Sequence, residues 1–190
     1  MANINGKSLG AIADNWIDLL PSYVTSNTTA PNNPSFTVYN GGNLSAYEFV
    51  GTNNTRQMFF GFQLPHGWIE GSTIYPHLHL YLPSDGTGGD VKFYMEYSWE
   101  NVSSTGTETV ATTSNVATHA ANTIKKNEIV SLTSGAGIVG TGKTISSIFM
   151  CRIWRDGADA ADTFGSSVWL KSIDIHVAQD MIGSSQILSK

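Results

Sequence analysis

Residues 57–101 read QMFFGFQLPHGWIEGSTIYPHLHLYLPSDGTGGDVKFYMEYSWEN, and their alternation decides the fold class. In 57–64, Met58, Phe60, Phe62 and Leu64 share one side. In 73–82, Ile74, Leu78, Leu80 and Leu82 oppose Tyr75, His77, His79 and Tyr81. In 91–99, Val91, Phe93, Met95, Tyr97 and Trp99 oppose Lys92, Tyr94, Glu96 and Ser98. A period of two means strands with one face on a core. The segment SDGTGGD (84–90) predicts a hairpin loop joining the second and third strands, with Leu82 opposite Val91 and Leu80 opposite Phe93. That register would set His79 beside Tyr94 and His77 beside Glu96 on the other face, and a slip of one residue would expose the whole apolar set.

Outward from this stretch the same period continues. Short apolar-polar runs at 36–40 and 46–50 flank the turn Asn40-Gly41-Gly42-Asn43. A Thr-rich run at 108–113 suits a sheet edge, followed by 122–132. SSIFMCRIW (146–154) is apolar enough to be central, and 168–177 sets Trp169, Ile173, Ile175 and Val177 against Leu170, Ser172, Asp174 and His176. About eight strands separated by turn signals predict an all-β chain, a jelly-roll-like antiparallel sandwich over residues 36–190. Residues 1–35 read differently, as an N-terminal arm. Within it AIADNWIDLL (11–20) predicts a short helix with Trp16, Leu19 and Leu20 on its apolar side, stopped by Pro21.

The 190 residues are 41% hydrophobic but only 13% charged, about half the roughly 25% of soluble domains. Gly, Ser, Thr and Asn fill the difference, which suits a polar, weakly charged surface that packs against copies of itself. A net charge of −5 with no basic run beyond Lys125-Lys126 argues against nucleic acid, which needs several cations on one face. No stretch has the length or apolarity of a membrane span or signal peptide, so the expectation is folding in a cytoplasm without membrane partners. Cys151 is alone, so no internal disulfide forms, and its apolar neighbours predict a buried thiol. The sequons at Asn27, Asn43, Asn53 and Asn101 follow from Asn/Ser/Thr richness.

Four patterns invite a chemical reading. GAGIVGTGKT (135–144) matches glycine-rich phosphate loops, but the strand-like ISSIFMCRIW after it denies the helix such loops need, and a plain loop is expected. Gly71, His77 and His79 resemble the opening of the cupin metal motif. Two histidines at i and i+2 share a strand face and can chelate one ion. The glutamate that should follow is replaced by Pro83 and Ser84, so the expectation is no metal and no cofactor, with His176 or Glu96 as spatial substitutes left open. Asp156, Asp159 and Asp162 lack the ligand order of a calcium loop. Trp68, in PHGWIEG, is a candidate glycan contact if exposed and a loop anchor if not. No nucleophile elbow occurs, and no enzymatic activity is expected.

Leu64-Pro65-His66, Glu70-Gly71-Ser72, Pro76-His77-x-His79 and Glu96-Tyr97-x-Trp99 together resemble a segment of small structural proteins of tailed bacteriophages. The resemblance implies a jelly-roll head decoration or cement protein of the virion, trimeric, whose partner is the major capsid protein. On that reading Trp16, Leu19, Leu20, Tyr75, His77, His79, Tyr94 and Glu96 lie at oligomer or capsid interfaces. A tail or fibre module that binds receptor or glycan, and a cupin-like metalloprotein, are the alternatives.

Overall fold

The computed structural model describes residues 15–26, 32–51 and 55–180. Its strands, in chain order, are β1 (Asn15–Leu19), β2 (Tyr23–Ser26), β3 (Ser35–Val38), β4 (Ser45–Phe49), β5 (Thr55–Gln63), β6 (Tyr75–Leu82), β7 (Gly89–Glu100), β8 (Ala111–His119), β9 (Lys125–Ser131), β10 (Ile148–Asp156) and β11 (Val168–Gln179). All pairings are antiparallel. One sheet runs β3-β4-β11-β6-β9, with β1 also on β11; the other runs β2-β5-β10-β7-β8. The chain is therefore all-β, a two-sheet sandwich, with no helix among the described residues.

The core lies where the expected apolar faces meet. Leu78, Leu80, Leu82, Ile173, Ile175 and Val177 from the first sheet, and Met58, Phe60, Phe62, Val91, Phe93, Met95, Phe149 and Ile153 from the second, are all buried. Phe49 and Phe93 meet edge to face at 5.3 Å between ring centres. Each such side chain contributes about 1.5–3 kcal/mol through its removal from water. Cys151 is buried among them, and burial pushes its thiol well above the usual range. As expected, β10 is central, and the short β3–β4 hairpin turns through Asn40 and Gly41, both at positive φ.

Three expectations are corrected. First, β6 and β7 do not pair. The segment 83–88 carries the chain from one sheet to the other, so β6 lies between β11 and β9, while β7 lies between β10 and β8. Alternation specifies which residues face the core, and that requirement is met equally by neighbours in one sheet or by strands on opposite sides of a sandwich. Second, residues 15–19 form a strand rather than part of a helix (11–14 lie outside the described residues). Ile17 and Leu19 pair with Val177 and Ile175 and pack on the core, and β2 joins the opposite sheet at β5. Sheet pairing to β11 outweighs the weak helix preference of a five-residue run. Third, β11 carries a bulge between Leu170 and Ser172. It puts Leu170 inward and Trp169 outward, against Tyr81, the reverse of the simple alternation. Beyond it Ile173, Ile175 and Val177 face in, so Asp174 and His176 face out.

Candidate functional site

The outer face of the first sheet gathers the titratable side chains that the sequence singled out in β6. His77 and His79 project from β6 by alternation. Asp174 is the cross-strand partner of His77, and Ser172 that of His79. Without the bulge, Asp174 would point into the core. One inserted residue thus places a carboxylate between two imidazoles. His77 Nε2 stands 2.5 Å from Asp174 Oδ1, and His79 Nε2 stands 3.3 Å from Oδ2. The Asp174 side chain is only 7% exposed, yet its Oδ1 receives no directed hydrogen bond.

The far nitrogens of the two rings are engaged. His77 Nδ1 lies 3.2 Å from the carbonyl oxygen of Tyr75, and His79 Nδ1 lies 3.1 Å from Asn127 Oδ1 on β9. The pairing with Asp174 is the main cause that raises the His77 pKa above its usual value; burial opposes it, and the Tyr75 carbonyl and Asp18 add to the rise. A cavity of about 450 Å³ opens over the site, lined by Asp18, Tyr75, His77, His79, Ile129 and His176 among others, within the roughly 300–1,000 Å³ of small-ligand pockets. Trp16 forms part of its surroundings, edge-on to Tyr75 at 5.7 Å and to His176 at 5.0 Å.

The outer face of the second sheet is built from different chemistry. Tyr94 stacks on Trp154 at 5.2 Å, Arg152 covers the same indole at 4.4 Å and pairs with Glu96 at 3.1 Å. The Tyr94 hydroxyl donates to Asp159, which Lys92 also approaches at 3.2 Å. Tyr94 is the first cause that holds the Asp159 carboxyl down at about 2. Every charged group in this ladder has a partner of opposite sign or a donor.

The expected interface set is therefore divided. Trp16, Tyr75, His77 and His79 share the first sheet's outer face, and Tyr94 and Glu96 lie on the opposite side of the sandwich because β6 and β7 belong to different sheets. Leu19 packs on the core, and Leu20 is exposed. Trp68 is wholly buried, 5.5 Å from Trp99, so it is a loop anchor and offers no face to a glycan. Glu96 lies on the other sheet and does not join His77 and His79; the carboxylate beside them is Asp174. Alternation sets Asp174 on the outward face of its strand; the pairing of β11 with β6, which brings it to His77 and His79, has no signal in periodicity.

The glycine-rich 135–144 loop is structural. A Cβ on Gly140 would stand 2.4 Å from the Ser72 carbonyl oxygen and 3.0 Å from the Trp68 and Trp99 rings. Lys143 donates to the carbonyl of Trp99, and the Thr144 amide donates to Asn101 Oδ1 at 3.0 Å. The aspartates of 156–162 are likewise consumed internally. Asp162 receives Arg155 through Nε at 2.8 Å and Nη2 at 2.7 Å and the Lys92 amide at 2.9 Å; Asp156 caps the Ala158 amide at 3.1 Å. No family model matches the chain, and no curated protein matches its sequence.

Proposed function

We propose that this chain is a non-enzymatic structural protein of a tailed-phage virion, a jelly-roll-like subunit that associates as a homotrimer and decorates the head by bridging major capsid subunits. The observation that carries this reading is an apolar sandwich edge. Phe36 and Val38 on β3 are 64% and 52% exposed, although both lie on the side of the strand that faces the core elsewhere in the sheet. Phe36 meets Tyr47 edge to face at 5.1 Å. Tyr47 in turn lines a cleft with Val24, from the edge strand β2 of the other sheet, together with Phe60 and Leu170.

Among the described residues nothing pairs with the free side of β3. Exposed apolar groups on a sheet edge invite association, and burying them in an assembly removes that liability. The low charge of the surface supports the same conclusion. An interface of standard size, roughly 1,600 Å², would suffice to tie adjacent capsid subunits. The glycan-binding alternative loses its anchor with the burial of Trp68.

Light scattering on the purified chain should report a trimer, and Phe36→Glu with Val38→Lys should shift it towards monomer while the circular dichroism of a β-protein is kept. Electron microscopy of the parent particle should place density for the chain on the head. A wild-type monomer, or particles that lack the chain, would overturn the proposal.

A further inference from the structure

We infer that His77, His79 and Asp174 form a three-ligand site for a divalent first-row transition metal ion on the outer face of the first sheet. The inference goes beyond the virion reading and does not depend on it. It starts from a count of donors. The Tyr75 carbonyl oxygen can only accept, so the His77 Nδ1 beside it carries the proton. Where Asn127 presents its oxygen, the His79 proton sits on Nδ1. In the neutral rings both Nε2 atoms are then lone-pair acceptors, and both face the carboxylate of Asp174.

Three acceptors thus converge on one point, with their atoms all within 4.8 Å of one another. Acceptors do not hold one another together; a proton or a metal ion between them does. Asp174 Oδ1 is buried, and its close neighbour His77 Nε2, at 2.5 Å, lacks the direction of a good hydrogen bond. A proton on His77 serves only one pair. A metal ion serves all three ligands at once.

The chemistry selects the class of ion. Two imidazoles and one carboxylate suit zinc, nickel or iron(II), whereas calcium and magnesium require oxygen ligands. Ligands about 2.1 Å from a tetrahedral zinc ion stand about 3.4 Å apart, close to the 3.3 Å between His79 Nε2 and Asp174 Oδ2. His77 must swing away from Oδ1, and the cavity above gives it room. The Nδ1 contacts are the outer support that metal-binding imidazoles usually have. All three ligands stand on paired strands, which fixes their spacing. The remaining coordination position faces the cavity, open to water or to a donor brought by another molecule.

The test is calorimetric titration of the chelator-treated full chain, free of any histidine tag, with ZnCl2 above the imidazole titration range, and with CaCl2 in parallel. One zinc ion per chain should bind and calcium should not. Asp174→Asn and His79→Ala should each weaken zinc binding at least tenfold, with unchanged circular dichroism; should Asp174→Asn fail to fold, the more exposed His79→Ala decides. Absence of zinc binding to the wild type would mean that the acceptors hold a proton only. Undiminished binding in a folded variant would place the ion elsewhere. Either result overturns the inference.

Discussion

Asp162 and Asp174 are both nearly buried carboxylates, with side chains 1% and 7% exposed, and they sit in opposite kinds of company. Asp162 is gripped by Arg155, itself fully buried, through two guanidinium contacts, while the remaining Arg155 donors reach the carbonyls of Ser166, Phe164 and Phe49. The guanidinium is charged at every accessible pH. That cluster fastens the 157–167 loop to the sandwich and is permanent. Asp174 faces two imidazoles whose charge depends on conditions. A buried carboxylate with a fixed cation is architecture; one with a conditional cation is a place where something can bind.

Neutralising each carboxylate in turn is the strongest way to break this contrast. Asp162→Asn leaves the Arg155 charge buried without its counter-ion, which costs about 3–5 kcal/mol. Asp174→Asn in metal-free protein, above the imidazole titration range, removes a charge that has no cation opposite it and costs about 1 kcal/mol or less. Urea denaturation of the two variants beside the wild type gives both values. Equal losses would mean that Asp174 is as structural as Asp162, and the distinction would fall.

Proton dependence sharpens the contrast further. Because the folded state raises the His77 pKa, the charged ring stabilises the metal-free fold. That contribution is present in full below about pH 6.5, the unfolded value, and is lost as pH rises through the higher folded value. The stability gap between wild type and His77→Gln should therefore narrow from mildly acidic to mildly alkaline buffer. The gap between wild type and Asp162→Asn should stay constant over the same range. Denaturation midpoints at several pH values decide it, and a His77 gap that widens with pH would contradict the sign.

The two clusters were not equally legible in the sequence. Period-two alternation in β5, β6 and β7 identified the core faces residue by residue, because burial acts on every second side chain. Pairing partners are a different matter. Whether the chain turns back beside β6 or crosses to the other sheet leaves the same residues buried, so the proposed contact of His77 and His79 with Tyr94 and Glu96 had no support in periodicity. Asp174 was within reach. Val168 and Leu170, then Ile173, Ile175 and Val177, are spaced two, three, two, two, and the interval of three is the bulge. Counting Trp169 as inward conceals the bulge but leaves Asp174 on the outward face; what stays hidden is the pairing of β11 with β6 that brings it to His77 and His79. Arg155 with Asp162 left no such trace, since an ion pair between a strand and the loop after it has no period.

The smallest effect belongs to the second sheet's outer face, which is neither permanent like Asp162 nor conditional like Asp174. Glu96 and Arg152 are paired at 3.1 Å, but both side chains are about one-third exposed, at 38% and 29%. Water and salt screen such a pair, so its worth is roughly 0.2–1 kcal/mol. Arg152 also has a second hold, the face of Trp154, which survives when the carboxylate is removed. Glu96→Gln should therefore lower stability by less than about 1 kcal/mol, and the difference should shrink in high salt. The buried Arg155–Asp162 pair should show far weaker salt dependence, because ions in solution do not reach it. A salt-insensitive loss at Glu96, measured by denaturation at low and high ionic strength, would show that the ladder acts as one network rather than as separate surface contacts.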